Sequence, residues 1–331
     1  MLDREHVIWA YRCFFGREPE SDDVIELHRN YPAWESLRQA FLRSGEFSYS
    51  PQVVSGIGRF ARAPSISVDL PEDSAQLQPM FDHVAASWAK LGNEEPHWSV
   101  VTADNFKSDR IAETEQEFYE SGSGDADLVQ AFFARNGQSL AGIETCLEFG
   151  CGVGRATSAL AKLFPKVYGV DISAPHLALA ASWFGKAGIE NVETIQLHRA
   201  QDVTGLPEFD LLYSTIVFQH NPPPVIAHML DALFARLKPG GYVLFQVPTY
   251  RAGYRFALSE YLDHAALGME MHVLPQQVVF RLFQRHGITP IEVQEDGLTG
   301  SEAFLSQTFF ARREGGPAPK PAARASGKAA R

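Results

Sequence analysis

Residues 148–155 read Glu-Phe-Gly-Cys-Gly-Val-Gly-Arg. Gly150, Gly152 and Gly154 alternate between an apolar segment and the start of a helix. A chain makes such a turn where backbone passes close to a ligand, because glycine lacks a Cβ and accepts positive φ. A dinucleotide fingerprint would read G-x-G-x-x-G, with the pyrophosphate on the helix N-terminus. Here the third glycine comes one position early. Arg155 fills the fingerprint slot, where its bulk opposes the close helix–strand contact. Glu148 argues the same way, since its carboxylate repels a pyrophosphate and attracts an ammonium. Asp171, 21 residues after Gly150, offers two oxygens to a pair of ribose hydroxyls, a device that nicotinamide enzymes share.

Four further groups carry chemistry. His220 follows an apolar run and is the candidate general base, with pocket lining as the alternative. Gln219 beside it either orients a substrate or caps the next helix. Tyr250-Arg251 and Tyr254-Arg255 repeat at i, i+4, the spacing of one helix face. With His272 they are candidates to grip a polyhydroxylated or anionic substrate, an amphipathic surface being the plainer reading. The eleven histidines include no HxH or HExxH spacing, so no metal is expected. Cys13, Cys146 and Cys151 suit neither a disulfide framework nor a zinc site, and read as reduced thiols of a cytoplasmic protein.

Such residues need elements to hold them. Apolar strands are predicted over 145–149, 167–171, 193–198, 209–215, 242–247, 291–294 and 305–311. Helices over 154–163, 173–187, 222–237 and 275–286 separate them, and a helical insertion covers 251–268. The run 209–215 is almost wholly apolar, as in a strand buried on both faces. Val225, Ile226, Met229, Leu230, Leu233, Phe234 and Leu237 recur with a helical period. The alternation specifies a doubly wound α/β sheet with ligands at the carboxyl ends of its strands. Upstream, 76–140 reads as a helical lid and 51–75 as a Ser/Pro/Gly linker. Residues 1–50 read as a helical module, with stripes at Val7, Ile8, Tyr11, Phe14 and Phe15 and at Trp34, Leu37, Phe41 and Leu42, and with Gly16 as a stop. The tail over 314–331 is rich in Gly, Ala and Pro and is expected to be disordered.

The run 147–155 resembles motif I of the class I S-adenosylmethionine (SAM)-dependent methyltransferases. FDLLYSTIVFQHNPPP resembles the family's fourth-strand motif and LFARLKPGGYVLFQVP the fifth, in the family's order across about 115–313. The resemblance implies SAM as cofactor and a seven-stranded sheet of order 3-2-1-4-5-7-6. It implies that Glu148 binds the methionine end and that Gly150, Cys151, Gly152 and Gly154 pack beneath the ligand. Asp171 would hold the ribose, Ile172 would lie against the adenine, and Gln201 or Asp202 would meet the adenine edge. Ser214 joins this set, and FYESGSGDADL resembles the stretch that closes over the methionine end, which implies a contact from Tyr119. Trp98 and Phe106 read as core. His220 falls where the family's substrate pocket opens.

The first 45 or so residues resemble a helical module of unknown function found beside bacterial glycan-modifying enzymes. That implies a sugar or glycan hydroxyl as acceptor and a protein partner for residues 1–50. A small-molecule O- or N-methyltransferase, or an adaptor, is the alternative. A net charge of −11 without a basic track opposes nucleic acid as substrate. The acidic groups Glu94-Glu95 and Glu113 to Asp127 read as solvated helix faces. No run of 18 apolar residues predicts a membrane span, and the charged N-terminus lacks a signal-peptide layout.

Overall fold

The structure is a computed structural model and describes residues 2–15, 17–42, 44, 65–70, 76–264 and 267–315. The chain divides into two compact units, Met1–Ser65 and Ile66–Arg331. The expected stop at Gly16, most of the expected linker and the tail from 316 lie outside the described residues.

In the first unit, α1 (Arg4–Phe15), α2 (Asp22–Arg29) and α3 (Trp34–Leu42) bury Val7, Tyr11, Phe15, Ile25, Leu37 and Phe41 together. Ser21 caps α2, its Oγ accepting from the Val24 amide at 3.3 Å. Trp34 departs from the predicted stripe. It is 41% exposed, its ring 6.2 Å from His6, because it stands at the first position of α3 before the buried face begins.

The second unit opens with β1 (Ser67–Val68) and the helices α4 (Leu77–Glu94), α5 (Ile111–Glu120) and α6 (Ser123–Arg135). Strands and helices then alternate: β2 (Thr145–Phe149), α7 (Arg155–Leu160), β3 (Lys166–Asp171), α8 (Ala174–Ala187), β4 (Val192–Gln196) and β5 (Phe209–Ser214). After α9 (Pro223–Arg236) come β6 (Leu237–Arg251), β7 (Arg255–Phe256), α10 (Leu258–His264), α11 (Gln276–Arg285), β8 (Ile288–Asp296) and β9 (Phe304–Arg313).

Among the described residues the sheet has seven strands in the order β4-β3-β2-β5-β6-β9-β8, the expected topology. The first five run parallel, and β9 is antiparallel to β6 and β8. Leu212 of β5 joins one core cluster with Leu147 and Phe149, while Leu211 and Tyr213 join the other with Cys146. The strand is therefore buried on both faces, as its composition demanded. Every residue of the 225–237 stripe is buried.

The expected end of the fifth strand and the helical insertion after it both fail. β6 runs to Arg251 rather than stopping at Val247, because β9 supplies ladder partners as far as Phe304. Beyond it, Arg255 and Phe256 pair in parallel with Ser67 and Val68, so part of the expected linker is a strand partner. The helical insertion shrinks to α10. Tyr250 lies in a strand and Tyr254 in the turn before β7, so the two Tyr-Arg pairs do not share a helix face.

Candidate active site

β2 and β3 are parallel neighbours, so the glycine turn after Phe149 and Asp171 meet at one carboxyl edge. Gly150, Gly152 and Gly154 have φ of 79°, 53° and 85°. A Cβ on Gly150 would lie 2.3 Å from Val217 Cγ2, and one on Gly154 2.5 Å from Phe184 Cζ. The turn is thus tight on both sides. The Gly152 amide donates to Asp171 Oδ2 at 2.7 Å and the Ser173 amide to Oδ1 at 2.8 Å. Each oxygen keeps a lone pair for a ligand hydroxyl.

A cavity of about 350 Å³ opens at this edge. Of the predicted cofactor residues, Glu148, Gly150, Cys151, Gly152, Asp171 and Ile172 line it, together with His220. Glu148 is buried and accepts from Thr157 Oγ1 at 2.5 Å. Burial pushes its pKa up to about 8, helped by Asp125 and Asp171 and opposed by Thr157 and Arg155. Burial also raises the Cys151 thiol, which argues against a thiolate nucleophile.

Sequence reasoning missed several lining residues. Asp125 is no solvated acid: it pairs with Arg155 at 2.7 Å and accepts from Tyr213 Oη at 2.6 Å. Arg155 is not the obstruction that the fingerprint comparison suggested. Its guanidinium turns toward Asp125, and its Nε is buried without a partner. His176 is buried between Ser173 Oγ at 2.6 Å and Ser99 Oγ at 2.9 Å. Its place in the first turn after Asp171 was a usable signal; the Asp125–Arg155 pair, formed only by folding, left none. Trp88 and Ile216 also line the cavity.

The remaining predicted residues lie elsewhere. Gly154 packs against α8, and Ser214 Oγ donates to the Phe149 carbonyl at 2.8 Å, tying β5 to β2. Tyr119 stacks on Trp183 at 3.7 Å and donates to the Val153 carbonyl, so it supports the turn from behind. Asp202 accepts from the His198 and Arg199 amides and caps its own 3-10 turn, while Gln201 is exposed; both border a separate depression beside Leu197. The Gln219 amide is engaged by Gln246 at 3.1 Å rather than facing the cavity. Arg251 covers the Phe304 ring, and Tyr254 Oη lies 2.8 Å from His272 Nδ1.

His220 is the titratable base candidate in the cavity wall. Its Nδ1 donates to the Glu270 carbonyl at 2.8 Å, and burial lowers its pKa. A carbonyl only accepts, so Nδ1 carries the proton and Nε2 the lone pair. The Gln219 amide nitrogen donates to Nε2 at 3.3 Å, a long hydrogen bond that favours the same tautomer.

A family profile described as a methyltransferase domain matches residues 114–293, more than half of the chain. The chain therefore belongs to this methyltransferase family, and its cofactor is S-adenosylmethionine. Trans-aconitate 2-methyltransferase of Deinococcus radiodurans is 36% identical over 106 residues, which cover 31% of this chain and 37% of that protein. Ubiquinone biosynthesis O-methyltransferase of Nitrosococcus oceani is 33% identical over 122 residues, 37% of this chain and 50% of the other. The chain thus spans half or less of the length of these curated relatives. The crystal structure of magnesium protoporphyrin IX methyltransferase from Synechocystis with bound SAH superposes with a TM-score of 0.50 at 18% identity. It covers 71% of this chain and all of that one, and shows the shared fold.

The residues present fit the cofactor. Both Asp171 oxygens keep lone pairs that a pair of ribose hydroxyls would use, and Glu148 is a buried carboxyl that an ammonium would hold ionised. The partnerless buried Nε of Arg155 suits a carboxylate.

Proposed function

We propose that the protein methylates a hydroxyl oxygen of a small acceptor, with His220 as general base. The observation that carries this reading is a buried imidazole in the same cavity as Asp171 and the glycine turn, its Nδ1 proton held by the Glu270 carbonyl and its Nε2 lone pair under a long 3.3 Å bond from the Gln219 amide that an acceptor hydroxyl would replace. The cofactor supplies an electrophilic methyl group on a sulfonium, open to in-line attack. Asp171 would hold the donor's ribose and Glu148 its ammonium, which would orient it toward the acceptor. His220 Nε2 would take the hydroxyl proton as the oxygen–carbon bond forms and the methyl's bond to the sulfonium breaks, leaving a neutral thioether.

For the acceptor, the resemblance of the N-terminal helices supports a sugar or glycan precursor. The cavity rim supports a different class. Ile216 and Leu298 are 39% and 37% exposed there, and the Tyr-Arg pairs that would grip a saccharide are engaged elsewhere. An O-methyltransferase among the relatives supports oxygen as the nucleophile. We therefore favour a hydroxyl on a small molecule with an apolar face. No helix among the described residues is long and apolar enough to cross a membrane. The cytoplasm is the proposed compartment, in keeping with the free thiols of Cys13, Cys146 and Cys151.

The test is transfer of labelled methyl from SAM across a panel of phenols, hydroxy acids and saccharides. Label in phenols or hydroxy acids supports this reading, and label confined to saccharides moves the acceptor to the glycan class. His220→Ala should lower turnover roughly 100-fold or more; an unchanged rate and pH profile would remove His220 as base. Gly152→Arg, which fills the cavity, separates enzyme from adaptor, since an adaptor would keep its cellular phenotype.

A further inference from the structure

Glu270 lies on the segment between α10 and α11 and does not line the cavity. Its backbone oxygen nevertheless holds His220 Nδ1 at 2.8 Å. Two residues on, the His272 amide donates to the Gln219 carbonyl at 2.7 Å. Residues 270–272 therefore lie along the turn that carries His220, bonded to it at two points.

The side chain of Glu270 ties this strap down. Tyr261 Oη donates to Oε2 at 2.6 Å, and His272 Nε2 lies 2.8 Å from the same oxygen. His83 Nε2 stands 3.0 Å from Oε1, and Tyr254 Oη braces His272 Nδ1 at 2.8 Å. His83 belongs to α4 and Tyr261 to α10, while Tyr254 precedes β7, so separate elements converge on one carboxylate. Burial pushes the Glu270 pKa up, but its three donors pull it well below the usual carboxylate range, so it stays ionised at neutral pH. From α4, Trp88 also meets the His220 ring edge-on at 5.3 Å.

We propose that Glu270 is the positioning residue for the base: its clamped carboxylate fixes the strap whose carbonyl keeps His220 in the Nδ1–H tautomer, with Nε2 presented to the acceptor. A loose strap would let the carbonyl withdraw, and the two tautomers would then compete for the ring. The assignment rests on the reading of His220 as base, yet the tautomer can be measured without any acceptor.

The experiment uses the full-length chain, labelled with nitrogen-15 histidine and saturated with S-adenosylhomocysteine. His220 is assigned by the signal lost in His220→Gln, and its two nitrogen shifts report tautomer and titration midpoint. The wild type should show Nδ1–H as the dominant form. In Glu270→Gln the tautomer ratio should fall roughly fivefold or more, the bias of one hydrogen bond, and the midpoint should move. Tyr261→Phe, which removes one donor, should move both in the same direction by less, and it decides the matter should Glu270→Gln not fold. A folded variant with the His220 tautomer and midpoint unchanged would overturn the proposal. Full turnover in His220→Ala is a separate failure: it removes the base and leaves the tautomer result standing.

Discussion

Glu148 shows how one buried carboxyl links pH to both stability and ligand affinity. The unfolded chain loses this proton near the ordinary value of 4.5, the folded chain at about 8. Between those values the folded state binds more protons, so the stability contribution of this site falls as pH rises through that window. A Glu148→Gln variant should flatten that part of the slope in urea unfolding. An ammonium beside the carboxylate reverses the preference, because it favours the ionised form. Binding of SAM should therefore release a proton below pH 8, with affinity rising by up to roughly tenfold per pH unit. Calorimetry in two buffers of different ionisation enthalpy reads the released proton directly. Glu148→Gln should show none.

At the scale of elements, the loop after β5 carries stored strain. Ile216 adopts φ of 60°, a left-handed conformation that a β-branched residue enters at a penalty. Its amide donates to Gln246 Oε1 at 3.0 Å, and Gln246 is held in turn by Gln219 and Ser306. The buried amide network of β6 and β9 thus keeps an apolar side chain at the cavity rim. Ile216→Asn should relieve the strain and stabilise the fold by about 1 kcal/mol. The same change should raise KM for an acceptor with an apolar face and leave SAM affinity unaltered. Thermal unfolding and steady-state kinetics test the two halves; a destabilised variant would contradict the strain argument.

On the whole-molecule scale, the described residues that line the cavity all have a number of 88 or above, inside the second unit. Removing residues 1–65 should therefore leave the SAM dissociation constant within roughly twofold. A larger loss would mean that the N-terminal helices contribute to the cofactor site. If they act in docking, the truncated chain should instead lose its effect in the cell while keeping methyl transfer in vitro.

Much of this molecule was legible in its sequence because the signals are local. The alternating glycines, the acid before them and Asp171 lie on adjacent strand ends, and parallel pairing brings such ends together. The sheet order followed from the alternation of strand and helix together with the family resemblance. The run of β6 past Val247 was not legible, since its partners in β9 lie 53 to 58 residues downstream. The pairs that complete the site are equally non-local. Tyr213 and Asp125 are 88 residues apart, and Glu270 and His220 are 50. By itself the sequence determined the turn and the alternation of strand and helix, which follow from short spacings and periodicity, while the ligand class and the sheet order needed the family resemblance as well. Only the tertiary structure decided that Arg155 turns inward to Asp125, that the Tyr-Arg pairs leave the cavity, and that Glu270 reaches His220 through its own carbonyl. Those outcomes depend on which distant elements meet, and burial then decides each group's charge and hydrogen-bond partners.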